Sequence, residues 1–147
     1  MNTEYKNTYL MLSYVTHMLC EIFLCLYVFI MPKKYDIYYA LYISLLIVLK
    51  LIFKYECIIN YFDKKLIEPN YVLGSNPKYV PYKQKLYNDN EYFISFINCL
   101  IILNLILIFS RNSSNLIRIL CVFNIIMWVF IEYKTQTFTH LKIKNKK

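Results

Sequence analysis

Two residues four positions apart, His17 and Glu21, form the most chemically suggestive pair in the sequence. On a helix that spacing puts both on one face, with Tyr14 beside them. A histidine next to a carboxylate can hold or pass a proton, bind an ion or orient a small polar ligand. Burial would bias the carboxyl toward its neutral form. Both residues stand inside a long apolar run, where an ionisable group is costly and calls for an account.

Other chemistries find little support. The chain has no HExxH, no DxDG-type loop and no GxSxG, and its one glycine, Gly74, cannot build a glycine-rich phosphate cradle. His17 and the tail residue His140 are the only histidines, which excludes an intramembrane bis-histidine haem site. Among Cys20, Cys25, Cys57, Cys99 and Cys121 no pair has CxxC spacing, so neither a redox centre nor a zinc site is expected. Buried cysteine behaves as a small hydrophobe. The expectation is no catalytic residue, no metal and no cofactor.

The positioning elements follow from hydropathy. Apolar residues make up 59% of 147, against about 45–50% in a soluble domain, and they gather into long runs. Mean hydropathy is +0.38. Four runs, at about 8–31, 35–53, 91–110 and 115–133, each approach the roughly 20 residues that a helix needs to cross a bilayer. They lack the alternation of barrel strands, and lone strands would leave backbone groups unpaired in lipid. The expected fold class is therefore all-α: a four-helix transmembrane bundle in a single membrane domain, 1–147. Tight turns at Pro32–Lys34 and Arg111–Ser114 make two antiparallel helical hairpins. Glu21 interrupts the first run and no small-residue cleavage site follows, so that run reads as a retained signal-anchor.

The net charge of +8 serves topology in this reading. The basic residues flank the runs and do not line one face, so no nucleic-acid partner is expected. With four spans, one side holds Lys6, Lys50, Lys54, the loop lysines and the tail lysines, thirteen in all. The other holds four: Lys33, Lys34, Arg111 and Arg118. The positive-inside rule puts both termini, the loop 54–90 and the basic tail 134–147 in the cytoplasm. Asn112-Ser113-Ser114 matches a glycosylation sequon but sits too close to the membrane to be used.

Counting helical rise from the tight turns sets depths. Glu21, Ser44, Asn98 and Asn124 share a level near the midplane. One turn nearer the loop, His17 is level with Lys50 and Trp128. An intramembrane polar cluster of His17, Glu21, Ser44, Lys50, Asn98 and Asn124 follows, with Lys50 reaching toward Glu21 or snorkelling to the surface. Such groups can bond helices together or form a site for a proton, ion or small polar ligand. Trp128 is expected to pack within the bundle.

The loop begins with a breaker-free stretch, Lys54 to Ile67, that reads as a helical continuation of the second span. Pro69, Gly74, Pro77 and Pro81 then end regular structure. Gly74 supplies a positive-φ position. Cys57, next to the membrane, is a candidate for lipidation. Glu56-Cys57 and Pro69-Asn70-Tyr71-Val72-Leu73-Gly74, over roughly residues 17–77, resemble segments of small multi-pass proteins from AT-rich genomes, such as giant DNA viruses of protists. That resemblance implies a membrane protein and no particular activity.

Three functions remain open from sequence. The first is a membrane scaffold or interaction protein, whose partners are the lipid bilayer and proteins met through loop 54–90 and tail 134–147, with a homo-oligomer allowed. The second is a small ion or proton channel or transporter subunit using the midplane cluster. The third is a lipid-modifying enzyme, for which no catalytic constellation is visible.

Overall fold

The computed structural model describes residues 3–77, 79–81, 83–84 and 91–135. The basic tail beyond 135, with His140, and loop positions 78, 82 and 85–90, for which the sequence raises expectations, lie outside the described residues. Helices carry all the regular structure among them: α1 Thr3–Ile30, α2 Asp36–Ile52, α3 Ile58–Ile67, α4 Glu91–Arg111 and α5 Asn115–Lys134. The four long helices match the four apolar runs to within a few residues. Each is long and apolar enough to cross a membrane. Lipid explains the form, because only intrahelical bonding satisfies every peptide group there. It also explains the surface: Met11, Phe29, Ile119 and Ile126 are all more than 60% exposed, around the outside of the bundle.

The connections decide which helices touch. A short 3-10 turn, Lys33–Tyr35, joins α1 to α2, and Asp36 opens α2 with a carboxylate at the positive end of its dipole. Residues 112–114 join α4 to α5. The main packing is α2 on α5, α4 on α5 and α1 on α4. α1 and α2 meet through Tyr27 and Tyr39, whose rings stack 4.3 Å apart, and through the Tyr39 hydroxyl, which donates to the Leu24 carbonyl at 3.0 Å. The core is aliphatic, with Ile43, Ile47, Leu105, Ile108 and Ile131 essentially inaccessible.

The stretch 54–67 corrects the sequence expectation, because it does not continue α2. That helix ends at Ile52, and Lys54 and Tyr55 both take positive φ, at 49° and 71°. Two successive left-handed residues without glycine are costly. They persist because the segment beyond is held by other contacts: α3 folds back against α1, and the Ser13 hydroxyl donates to Asp63 at 2.8 Å. Continuation of α2 would have put the charged residues of 63–65 on a free helix, whereas the fold buries Asp63 and Lys64.

Candidate functional site

Polar groups in the bundle occur in separate sets. At the turn end, Asp36 is fully buried and pairs with Arg111, whose Nε donates to Oδ2 at 2.8 Å. Arg111 also donates to the Val28 and Met31 carbonyls, at 3.0 and 3.3 Å. The Asn112 amide completes this lock by donating to Asp36 and to Ile108 O. Asn112 is thus a buried structural residue.

Deeper in, Asn104 clamps α1 to α4: its amide donates to Cys25 O at 2.7 Å, and its oxygen accepts from Val28 N at 2.8 Å. The Ser44 hydroxyl donates to Asn124 Oδ1 at 2.8 Å, while Asn124 donates to the Ala40 carbonyl at 2.7 Å, tying α2 to α5. Nearer the loop, Lys50 pairs with Glu132 at 2.7 Å and stands over the Trp128 ring at 4.5 Å. Asn98 donates to the other Glu132 oxygen at 3.0 Å.

A further set holds the loop. Glu56 Oε1 accepts from the Tyr71 hydroxyl and from Gly74 N at 3.0 Å, and Oε2 lies 3.2 Å from Lys64 Nζ. Lys64 also donates to Tyr71 Oη at 3.1 Å and to Asn76 O at 2.7 Å. Burial pushes the Lys64 ammonium below its usual range, against the pull of Glu56, and lifts the Tyr71 phenol, which Glu56 raises further. Gly74 has φ +83°, and a Cβ there would stand 2.8 Å from Lys54 Cδ and 2.9 Å from Lys54 Cβ. Glu56 therefore binds the two segments singled out in sequence, Glu56-Cys57 and Pro69 to Gly74, into one unit.

At the loop end of the bundle lies a cavity of about 640 Å³. Its walls come from all four spans and from the loop, and most of the lining is aliphatic or aromatic. Four of the six residues of the expected cluster line it: His17, Glu21, Lys50 and Asn98. Ser44 and Asn124 do not, being engaged with each other nearer the turn end. Lys50 neither reaches Glu21 nor snorkels free, because Glu132 captures it, while Glu21 pairs with Lys83 of the loop at 2.9 Å. Cys57, the candidate lipidation site, also lines the cavity, with Sγ 3.8 Å from His17 Nε2.

Sequence reasoning passed over Glu132, Asn104, Asp36 and Arg111. Glu132 and Arg111 stand at the ends of their runs, where charge reads as interfacial. Asn104 did carry a signal, a lone amide in the densest aliphatic stretch. Among the described residues no cluster of histidine, cysteine and carboxylate groups has metal-binding geometry. No family model, curated protein or solved structure matches the chain.

Proposed function

We propose that the chain is a multi-pass integral membrane scaffold that presents its loop, folded over residues 54–77, on the cytoplasmic face. The observation that carries this reading is the Glu56–Lys64–Tyr71 cluster. A loop needed only as a tether would not bury a carboxylate, an ammonium and a phenol to hold one shape. Ser13–Asp63 and Glu21–Lys83 then fasten that shape to α1. The lysine asymmetry supports placing the loop and both termini inside, with the basic tail 134–147 available to anionic lipid or to proteins.

The transport reading draws its support from the cavity and its ionisable walls. Against it, Lys50 and Glu21 are already neutralised by Glu132 and Lys83. Two experiments in membranes separate the readings. With Ser113→Cys in a cysteine-free background, an impermeant thiol reagent should label only from the non-cytoplasmic side, and labelling from the cytoplasm overturns the orientation. In proteoliposomes the scaffold predicts no proton or ion flux that depends on Glu21. Flux in the native chain that Glu21→Gln abolishes would replace the scaffold with a transporter.

A further inference from the structure

Charge at the turn end is lopsided. Between residues 22 and 55, and again between 92 and 131, Asp36 is the only acidic residue. Arg111 already takes it. Lys33, Lys34 and Arg118 remain at that end with no carboxylate partner among the described residues. Of these three, Arg118 is anchored on two sides. Its Nε donates to the Asn112 carbonyl at 2.8 Å, and its guanidinium carbon stands 5.3 Å from the centre of the Phe109 ring. The Asn112 side chain is itself bound to Asp36 and to Ile108 O, so its carbonyl is a fixed post. Both terminal nitrogens of the guanidinium lack a protein partner among the described residues. A cation held this way has already lost most of its rotamer freedom, which lowers the cost of binding an anion. Its planar, paired N–H donors match the oxygens of a phosphate.

The surface beside it suits an acyl chain. Arg118 heads a shallow, almost wholly apolar groove formed by Phe109 of α4 and by Ile119, Val122, Phe123 and Ile126 of α5. All five apolar residues are exposed on the outside of the bundle, where the spans face lipid. The four from α5 fall on one helix face, at the three- and four-residue spacing. From Arg118 to Ile126 the helix rises about 12 Å. One leaflet contributes half of a hydrocarbon core roughly 30 Å thick, so the groove runs most of one leaflet's depth. The guanidinium reaches back past the start of α5 to the Asn112 carbonyl, toward the membrane boundary where lipid phosphates lie. A fixed cation at the boundary above a greasy wall of leaflet depth has the outline of a phospholipid.

We infer that this lipid-facing flank of α4 and α5 holds one anionic glycerophospholipid, its phosphate on the Arg118 guanidinium and one acyl chain in the groove. A head with net negative charge offsets the excess positive charge of the turn end, whereas a zwitterionic head brings an ammonium of its own. The site rests on the bilayer-spanning helices and not on the scaffold proposal, which concerns the loop at the opposite end.

Native mass spectrometry of the full-length chain in mild detergent, titrated with dioleoylphosphatidylglycerol or dioleoylphosphatidylcholine, tests it. The first phosphatidylglycerol should bind about ten-fold more tightly than the first phosphatidylcholine. Arg118→Met should lower that affinity about ten-fold or more, the loss of a charge-assisted hydrogen bond. Lys34→Met removes the same charge from the same end and should lower it only about two-fold. Arg118→Lys keeps the charge without the planar fork and should fall between them. Val122→Phe crowds the groove without touching the cation and should weaken binding several-fold. Melting curves of these variants in the same detergent should stay close to wild type, which separates lost binding from lost fold. Equal affinity for the two lipids would overturn the anionic head. Equal losses in Arg118→Met and Lys34→Met would reduce the site to diffuse charge and overturn it. Unchanged affinity in Val122→Phe would take the chain out of the groove and overturn the geometry.

Discussion

The two ends of the bundle bury ionic groups in opposite styles. At the turn end, Asp36, Arg111 and Asn112 fill the space between helices, and stacked Tyr27 and Tyr39 close α1 against α2. At the loop end, Lys50–Glu132 and Lys83–Glu21 stand on the walls of a void. The difference traces to chain connectivity. Connections of a few residues hold helix ends within van der Waals reach. Nothing so short ties the loop ends of α1 and α2, and a folded segment stands between them. A buried ion pair by itself therefore tells nothing about packing, since the same chemistry closes one end and lines a chamber at the other.

Four substitutions test this contrast. The largest effect belongs to Arg111→Met, which strands the buried Asp36 carboxylate and two carbonyls and should cost about 3 kcal/mol or more. A thermal unfolding series in detergent would show it, and a melting point unchanged from wild type would mean that the turn-end lock is idle. Next is Gly74→Ala at the loop end, where positive φ and the Lys54 side chain both oppose a Cβ. About 1–3 kcal/mol of local strain is expected. Hydrogen exchange should accelerate in residues 54–77 and leave α4 and α5 protected; uniform protection would mean that the loop does not need this turn.

Ser44→Ala removes one hydroxyl between the two ends. The measured average for such bonds in membranes is roughly 0.6 kcal/mol, so its shift should be several-fold below that of Arg111→Met in the same series. A shift as large would make the Ser44–Asn124 contact part of the lock. The smallest effect concerns pH. Burial lifts the Asp63 carboxyl above its usual range, partly opposed by the Ser13 hydroxyl, with Tyr9 and Tyr14 nearby. The native state then holds this proton more tightly than the unfolded chain does. The penalty is absent below the ordinary carboxylate pKa and fully present above the raised one, so stability falls as pH rises through that window. Asp63→Asn should flatten this fall in melting curves taken between about pH 4 and pH 8, and an unaltered slope would assign it to other groups.

A small part of the polar interior was legible from depth alone. Ser44 and Asn124 share a level and do bond, and Lys50 does lie beside Trp128, because helical rise is uniform and the tight turns supply a common origin. Depth could not say which neighbour wins. Lys50 faces Glu132 and not Glu21 because each helix has a rotation about its own axis, and that rotation is set by packing on α5. Asn98, which the count put level with Asn124, instead bonds Glu132, about two helical turns nearer the loop on α5.

The loop was less legible. Residues 54–67 contain no breaker, and a helix does form over Ile58–Ile67, yet its direction depends on the left-handed pair Lys54–Tyr55. Neither residue type favours that conformation, so local propensity carries no trace of it. Long-range contacts, Glu56 with Tyr71 and Gly74, and Ser13 with Asp63, hold the strained turn in place. By itself the sequence determined the number, length and limits of the spans, since hydropathy accumulates along the chain and bilayer thickness sets the unit of length. Ion-pair partners, the path of the loop and the chamber at the loop end came only with the folded chain, because these depend on which faces of distant segments meet.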